Sequence, residues 1–371
     1  MKSLYPYFHP TCIAVLSTSQ KTREAMAQLL PERPWGWHYR FYTDPQQALE
    51  EINAQETSVD LLKRYGVSSD GEHITLDVRR LHEEMYRPNR LQKVSTVLVD
   101  ADTALQPCDW FEQLHDKAIQ RVCFGELPDQ QKVLLLMRQG HFDQFIYTNE
   151  KEIKTQLQHS LQSACDGYFA HITAPIRRAL QQCIPDTALL DPFFADFFQE
   201  KMQELKIAEY CLYMPQLAFV LVDIYAKQFG LFVKLPKQLE ADRKSPQAAR
   251  LPQKLQDKMR MRETMLCYAM HDKHETPDSS EWPQLMREPR AFWGQQAYYA
   301  AMRRNVLALD EDKEVVMFDP YEQSSPKDLL QQQSQHTEAS QSTIENSQET
   351  QAIDSPETDP QEPDEEEFAP T

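Results

Sequence analysis

Glycine is scarce, with eight residues in 371. Loops that cradle phosphates need closely spaced glycines, and neither a P-loop nor a G-x-G-x-x-G run occurs, which excludes nucleotide binding through those motifs. Long apolar runs are also missing. No stretch approaches the ~18 apolar residues of a transmembrane helix. The opening MKSLYPYFHPTC has one Lys, two Pro and no apolar h-region, so no secretory signal is expected. Cysteine forms no framework: Cys12, Cys108, Cys123, Cys165, Cys183, Cys211 and Cys267 are odd in number, scattered and set mostly among apolar neighbours. That pattern fits reduced thiols and a cytoplasmic location. Basic residues are absent from 331–371, which hold eleven Asp and Glu; the 330 residues before them carry 39 Lys and Arg against 46 acids, a net −7 out of the chain's −18. From 321 onward there is too little apolar surface to offset the entropy of ordering, so 321–371 is expected to be a disordered acidic tail.

What is present begins with a strand–helix alternation. Cys12–Leu16 is an apolar strand, and Ser17-Thr18-Ser19 supplies capping chemistry for a helix over 20–30 that stops before Pro31. Tyr39–Tyr42 is a second strand, and Asp44-Pro45 opens a second helix with Ala48, Leu49 and Ile52 on its inner face. Such alternation implies βαβ units around a parallel sheet. The third strand is delayed to residue 96, and the intervening 54–93 reads as a helical insert. A helix over 109–118, the strand Val122–Phe124, a helix over 128–139 ending at Gly140, and the strand Phe145–Tyr147 complete the first unit.

Beyond residue 150 the period changes. Ile153, Leu157, Leu161, Ala164, Tyr168, Ile172, Ile176 and Leu180 recur every three or four residues, marking one face of a long helix or a helix pair bent near Pro175. This 151–185 connector either packs on its own domain or is a homodimer seam or signalling helix joining two domains. A second unit over 186–320 opens with an aromatic helix (Leu189–Leu205) and three antiparallel strands (Tyr210–Tyr213, Ala218–Asp223 and Leu231–Leu235). A basic helical stretch, a helix over 295–309 and the strand Val315–Phe318 follow, making an α+β domain.

The most informative run is Val97-Leu98-Val99-Asp100, a buried-strand pattern ending in a carboxylate, with Asp102 two residues on. In parallel α/β sheets, chemistry collects just beyond the carboxyl ends of the strands. Five β/α units with an Asp ending the third strand, Thr43–Leu49 after the second and Phe142–Ile146 before the fifth, resemble the CheY-like receiver domain of bacterial two-component response regulators. The likeness covers about 10–165, with the receiver-like domain itself at 10–150. The insert ending Pro88-Asn89-Arg90-Leu91 resembles an atypical subgroup, in which an uncommon α+β output domain follows; Glu209–Tyr213 and Phe219–Asp223 resemble that domain.

The resemblance implies phosphoryl transfer from the phosphohistidine of a kinase or phosphotransfer protein to Asp100, in a bacterial phosphorelay. It also implies Mg²⁺ held by two acids after the first strand, a hydroxyl after the fourth and a Lys after the fifth. Here the acid positions fall on Ser17 and Thr18, the hydroxyl on Phe124, and the Lys near Tyr147-Thr148-Asn149, with Lys151 the nearest cation. Asp102 is the one nearby second carboxylate. The expectation is a degenerate, non-enzymatic receiver in which Mg²⁺ is weakly supported. A shifted alignment in which Lys151 fills the gap stays open.

Three further readings stand beside it. Residues 227–262 hold ten Lys and Arg against three acids, and Lys254, Lys258, Arg260 and Arg262 would face a polyanion if the chain were a nucleic-acid-binding regulator; a solvated helix or a dock for the acidic tail reads equally from that charge. Cys267, His271 and His274 have helical metal-ligand spacing but no evident fourth ligand. The Asp364–Phe368 cluster resembles the C-terminal export signals of type IV secretion, which would make the chain an exported effector; a solubilising tail is the plainer reading.

Overall fold

The computed structural model describes residues 4–31, 37–66, 68–69, 74–75, 83–104, 110–126, 130–183, 188–214, 217–225, 227–268, 278–304 and 325–331. In chain order the first part comprises β1 (Tyr7–Phe8), β2 (Thr11–Leu16), α1 (Gln20–Leu29), β3 (Trp37–Tyr42), α2 (Pro45–Asn53), α3 (Ser58–Arg64), β4 (Ser68–Ser69), β5 (Ile74–Thr75), β6 (Val94–Asp100), β7 (Gln120–Gly125) and β8 (Gln144–Tyr147). Strands β2, β3, β6, β7 and β8 form a five-stranded sheet in the order β3-β2-β6-β7-β8, every pair parallel. The helices start where the sequence places their caps. Ser19 accepts from the Thr22 N–H, Asp44 from those of Gln46 and Gln47 ahead of Pro45, and Thr57 and Asp60 form a reciprocal capping box.

Two expectations in this part are corrected. The 54–93 insert is only partly helical: α3 ends at Arg64, Gly66 just beyond it has a φ of 70° that suits glycine, and the β4–β5 hairpin and 3-10 turns at Glu84–Tyr86 and Pro88–Gln92 follow. The helix expected over 109–118 is a single 3-10 turn, Trp110–Gln113. Asp116 turns the chain back, accepting the N–H groups of Ala118 and Ser58 and pairing with Lys93 Nζ at 3.2 Å.

The connector is one 31-residue helix, Ile153–Cys183, unbroken at Pro175. Packing on both sides of the proline holds it: Ile172, Ile176, Ala179 and Leu180 are all buried. The apolar face that suggested a homodimer seam, from Leu157 through Leu161, Ala164, Tyr168 and Ile172, is buried within its own chain against the parallel sheet.

The second sheet adds β9 (Ile207–Met214), β10 (Ala218–Asp223), β11 (Gln228–Lys234), β12 (Met265–Leu266), β13 (Met286–Arg287), β14 (Arg290–Trp293) and β15 (Ala297–Arg304). Its antiparallel order is β1-β9-β10-β11-β15-β14, with β12 and β13 as a separate pair. Strand β15 replaces the helix expected over 295–309. Its Ala-rich sequence favours helix locally, but it lies between β11 and β14 and pairs with both. Asp191, which caps the helix Pro192–Glu204, also accepts from the Gln295 N–H (2.7 Å) and the Tyr298 hydroxyl (2.8 Å), pinning the β14–β15 hairpin to that helix.

A second correction falls at the tail. Residues 326–331 are helical, with Ser325 and Asp328 capping each other, and Leu330 is buried in the core. The apolar pair Leu329-Leu330 is what orders this piece of a segment expected to be disordered. The strand expected at 315–318 and the rest of the acidic tail lie outside the described residues.

One core serves both sheets. A single cluster of buried side chains runs from Ile13, Leu98 and Phe124 through the long helix to Phe194, Phe198, Tyr210, Phe219 and Leu231. The N-terminus stitches the sheets together: β1 pairs antiparallel with β9, and after His9-Pro10 the same chain becomes β2 of the parallel sheet. Phe169 of the long helix packs on Phe8 (4.7 Å between ring centroids), His9 (5.3 Å) and Tyr7 (6.1 Å). A buried ion pair closes the same seam. The Arg90 guanidinium donates two 2.8 Å bonds to Glu209 of β9, with the side chains 1% and 4% exposed.

His9 lies in that seam, donating from Nδ1 to the Pro10 carbonyl. Burial pushes its pKa down to about 3. The folded state therefore keeps the imidazole neutral, while the unfolded chain takes up a proton below about 6.5. Stability from this group is lost as pH falls from about 6.5 toward about 3, at about 1.4 kcal/mol per pH unit. Urea unfolding at pH 7 and pH 5 should show wild type losing about 2 kcal/mol more than His9→Gln; equal losses would contradict this assignment.

Candidate functional site

Strand order β3-β2-β6 creates a reversal between β2 and β6, and the crevice beyond such a switch point is where open α/β sheets bind ligands. Ser17 follows β2 and Asp100 ends β6, so both stand at that crevice. They close it: the Ser17 hydroxyl donates to Asp100 Oδ2 at 2.7 Å. The other oxygen, Oδ1, accepts the Asp102 backbone N–H at 3.3 Å, so Asp100 caps the short helix Ala101–Ala104. Ser17 Oγ in turn accepts the Ser19 N–H at 3.2 Å, linking the pair to the cap of α1. Asp100 is 7% exposed and Ser17 fully buried.

The remaining expected site residues divide sharply. Phe124 lies opposite Asp100 in the β6–β7 register and is fully buried in the apolar core, so no hydroxyl stands there. Thr148 is half-buried, and its backbone N–H donates to the Gly125 carbonyl, bringing the β8 end to the β7 end. Gly125 has a positional role: a Cβ there would meet Ala101 Cβ at 2.7 Å, so glycine lets β7 approach the turn after Asp100. Thr18, Asp102 and Lys151 are exposed to solvent, and no hydrogen bond joins their side chains to Asp100 among the described contacts.

One contributor escaped sequence reading. Arg23 of α1 is buried and donates from Nη1 to the Ser17 carbonyl at 2.7 Å, bracing the serine that holds Asp100. No motif signals it, since an Arg in the first turns of a helix ordinarily faces water.

The donor set does not fit the Mg²⁺ that the receiver resemblance implies. A hard divalent cation there takes carboxylate oxygens. The two acid positions carry neutral hydroxyls, and Ser17 directs its proton at Asp100. Among the described residues, no three His, Cys, Asp or Glu side chains cluster as metal ligands.

Four of the ten cations in the basic stretch are paired with its three acids. Lys234 pairs with Asp242, Arg243 and Lys244 with Glu240, and Arg260 with Asp257 at 2.9 Å. Arg262 donates to the Tyr299 hydroxyl and lies over its ring, and Lys254 and Lys258 stand exposed one turn apart. Cys267 is buried in an apolar cluster, and burial pushes its thiol pKa up to about 12, which disfavours the thiolate that zinc requires. His271 and His274 lie outside the described residues. No described helix is long and apolar enough to cross a membrane.

The whole arrangement is similar to a solved structure, that of the Legionella pneumophila response regulator LqsR. The two share 18% identity over 86% of this chain and 93% of that one, with a TM-score of 0.66. This chain has the fold of a response regulator. Separate receiver structures also match part of it. The signal receiver domain of an HD domain-containing protein from Pseudomonas fluorescens Pf-5 is 14% identical over 44% of this chain and 91% of its own, with a TM-score of 0.28. A response regulator receiver protein from Burkholderia phymatum is 12% identical over 42% and 95%, with a TM-score of 0.26. No family model and no curated protein matches the sequence. At the carboxyl end of β6, both side-chain oxygens of Asp100 accept hydrogen bonds from within the chain.

Hydrogen bonds to a charged group contribute about 1.5–3 kcal/mol. Replacing Asp100 with Ala should lower unfolding stability by about that amount, with Asp100→Asn, which keeps an acceptor oxygen, losing less. An alanine variant as stable as wild type in urea would refute the structural role.

Proposed function

We propose that this chain is a non-enzymatic, response-regulator-like signalling protein of the bacterial cytoplasm, in which Asp100 is a vestigial phosphoacceptor and the receiver-fold unit acts on the α+β unit through direct contacts. The observation that carries this is the Ser17–Asp100 hydrogen bond. It occupies the nucleophile's oxygen and stands where a phosphorylatable receiver has a metal-binding acid. Phosphoryl transfer to Asp100 would need Oδ2 to attack phosphorus with charge on the other phosphoryl oxygens neutralised. Ser17, Thr18 and Phe124 supply hydroxyls and a ring at the positions where that neutralisation and recognition would come. The five described cysteines are all buried free thiols, in keeping with a reducing compartment.

Under this reading the partner is recognised at the carboxyl edge by shape and charge, and a histidine kinase or phosphotransfer protein is not required as a phosphoryl donor. The test is intact mass spectrometry of the full chain after incubation with acetyl phosphate and Mg²⁺. The expected spectrum shows unmodified protein. A phosphoryl adduct on wild type that disappears in Asp100→Asn would overturn the proposal and restore Asp100 as an acceptor.

A further inference from the structure

At its β14–β15 end the antiparallel sheet has two faces of opposite character. Phe292 and Tyr298 face inward, packing on each other and on Phe194, and Phe292 stacks on Phe197 with ring centroids 4.1 Å apart. Side chains alternate across a strand, so Ala291 and Trp293 of β14, with Ala297 and Tyr299 of β15, lie on the other face. The register sets Ala291 opposite Tyr299 and Trp293 opposite Ala297. The two aromatic residues are therefore diagonal neighbours, with only alanines as their direct cross-strand partners. Trp293 is 78% exposed, and β14 is the outermost strand of its sheet.

Cations gather beside these rings. The Arg262 guanidinium lies 5.5 Å from the centre of the Tyr299 ring and donates to its hydroxyl at 2.8 Å. Lys258 and Lys254 precede it at intervals of four residues, both exposed on the helix Gln253–Arg260. Among the described residues no ion pair engages Lys254, Lys258 or Arg262, because Asp257 of that helix is taken by Arg260 and Gln253. Glu263 is the nearest acid in sequence, which leaves the cations in excess. Residues 250–268 and 278–304 together hold nine Lys and Arg against five Asp and Glu. Arg262 also follows the helix end with a φ of 61°, the left-handed conformation in which glycine ordinarily terminates a helix. An arginine there is strained where glycine would not be, and it sets a guanidinium against Tyr299.

Charge alone would attract any polyanion. Exposed rings among the cations add a platform on which unpaired bases stack, a mode that a duplex and an acidic peptide cannot use. We propose that this face binds single-stranded nucleic acid, with bases stacked on Trp293 and Tyr299 and phosphates at Lys254, Lys258 and Arg262. The chain's net charge of −18 does not oppose this, since eleven of its acids lie in 331–371. At about 0.1 M salt, exposed charges more than about 10 Å away are largely screened, so the local excess of cations governs. The surface gives the α+β unit a ligand of its own and does not depend on whether Asp100 is phosphorylated.

The test is fluorescence anisotropy of a short labelled oligo(dT) titrated with the full chain across a range of salt, beside a labelled duplex and labelled polyglutamate. Saturable binding of the single strand is expected, tighter than either comparison and weakening as salt rises. Trp293→Ala, a change at an exposed side chain, should weaken binding about tenfold and leave the salt dependence unchanged. Combining Lys254→Gln with Lys258→Gln should flatten the slope of log affinity against log salt by about 1.4. Arg262→Gly, which relieves the left-handed backbone, should fold as wild type does and bind more weakly. Absence of saturable binding to oligo(dT), or wild-type affinity in Trp293→Ala, would overturn the proposal. Equal affinity for the duplex would contradict base stacking, and equal affinity for polyglutamate would make the face a dock for an acidic peptide instead.

Discussion

The structure depends on the short joint at the N-terminus, where one chain enters two sheets. Tyr7 and Phe8 pair with Cys211 and Tyr210 of the antiparallel sheet, and Thr11 opens β2 of the parallel one, between β3 and β6. Only His9 and Pro10 separate them, and proline restricts the backbone at that point. The long helix presses Phe169 against the joint, and Arg90–Glu209 closes the seam beside it. A hinge between the units would have to break the β1–β9 pairing, expose Phe169 and separate the Arg90–Glu209 pair. The paired strands and the buried aromatic contacts therefore favour the closed arrangement, while the ion pair fixes its geometry.

This joint frames what the receiver-fold unit can do. A receiver on a flexible tether can signal by docking and undocking, whereas here the two units share one hydrophobic cluster. Changes at the carboxyl edge would travel through packed side chains and paired strands. The Ser17–Asp100 bond fits that setting. It ties β2, the strand continuous with the joint, to the carboxyl end of β6. The pair clasps the carboxyl ends of two neighbouring strands.

Much of the first unit was legible from the sequence because local and tertiary preferences agree there. Apolar runs such as Cys12–Leu16 and Val97–Val99 can only be central strands, and Asp44-Pro45 both caps and starts its helix. The errors arose where long-range partners decide. Ala297–Arg304 has the composition of a helix and is a strand because β11 and β14 flank it. Tyr7 and Phe8 have no local signal, since their partner is some 200 residues away. The apolar run before Asp100 marks the strand end by itself, whereas nothing local marks Ser17 as its hydrogen-bond donor. Its bond to Asp100 becomes visible only when β2 and β6 are adjacent. Arg23 was missed for the same reason: its acceptor is a backbone carbonyl that carries no sequence signature.

The central claim is that the two sheets open together. Native-state hydrogen exchange across a series of low urea concentrations tests it most directly, following amides of β6 in the parallel sheet and β10 in the antiparallel one. The account predicts that both sets converge on the same opening free energy and the same urea dependence, as parts of one cooperative unit do. Exchange of β10 through a separate opening, of lower free energy and smaller urea dependence while β6 stays protected, would contradict it.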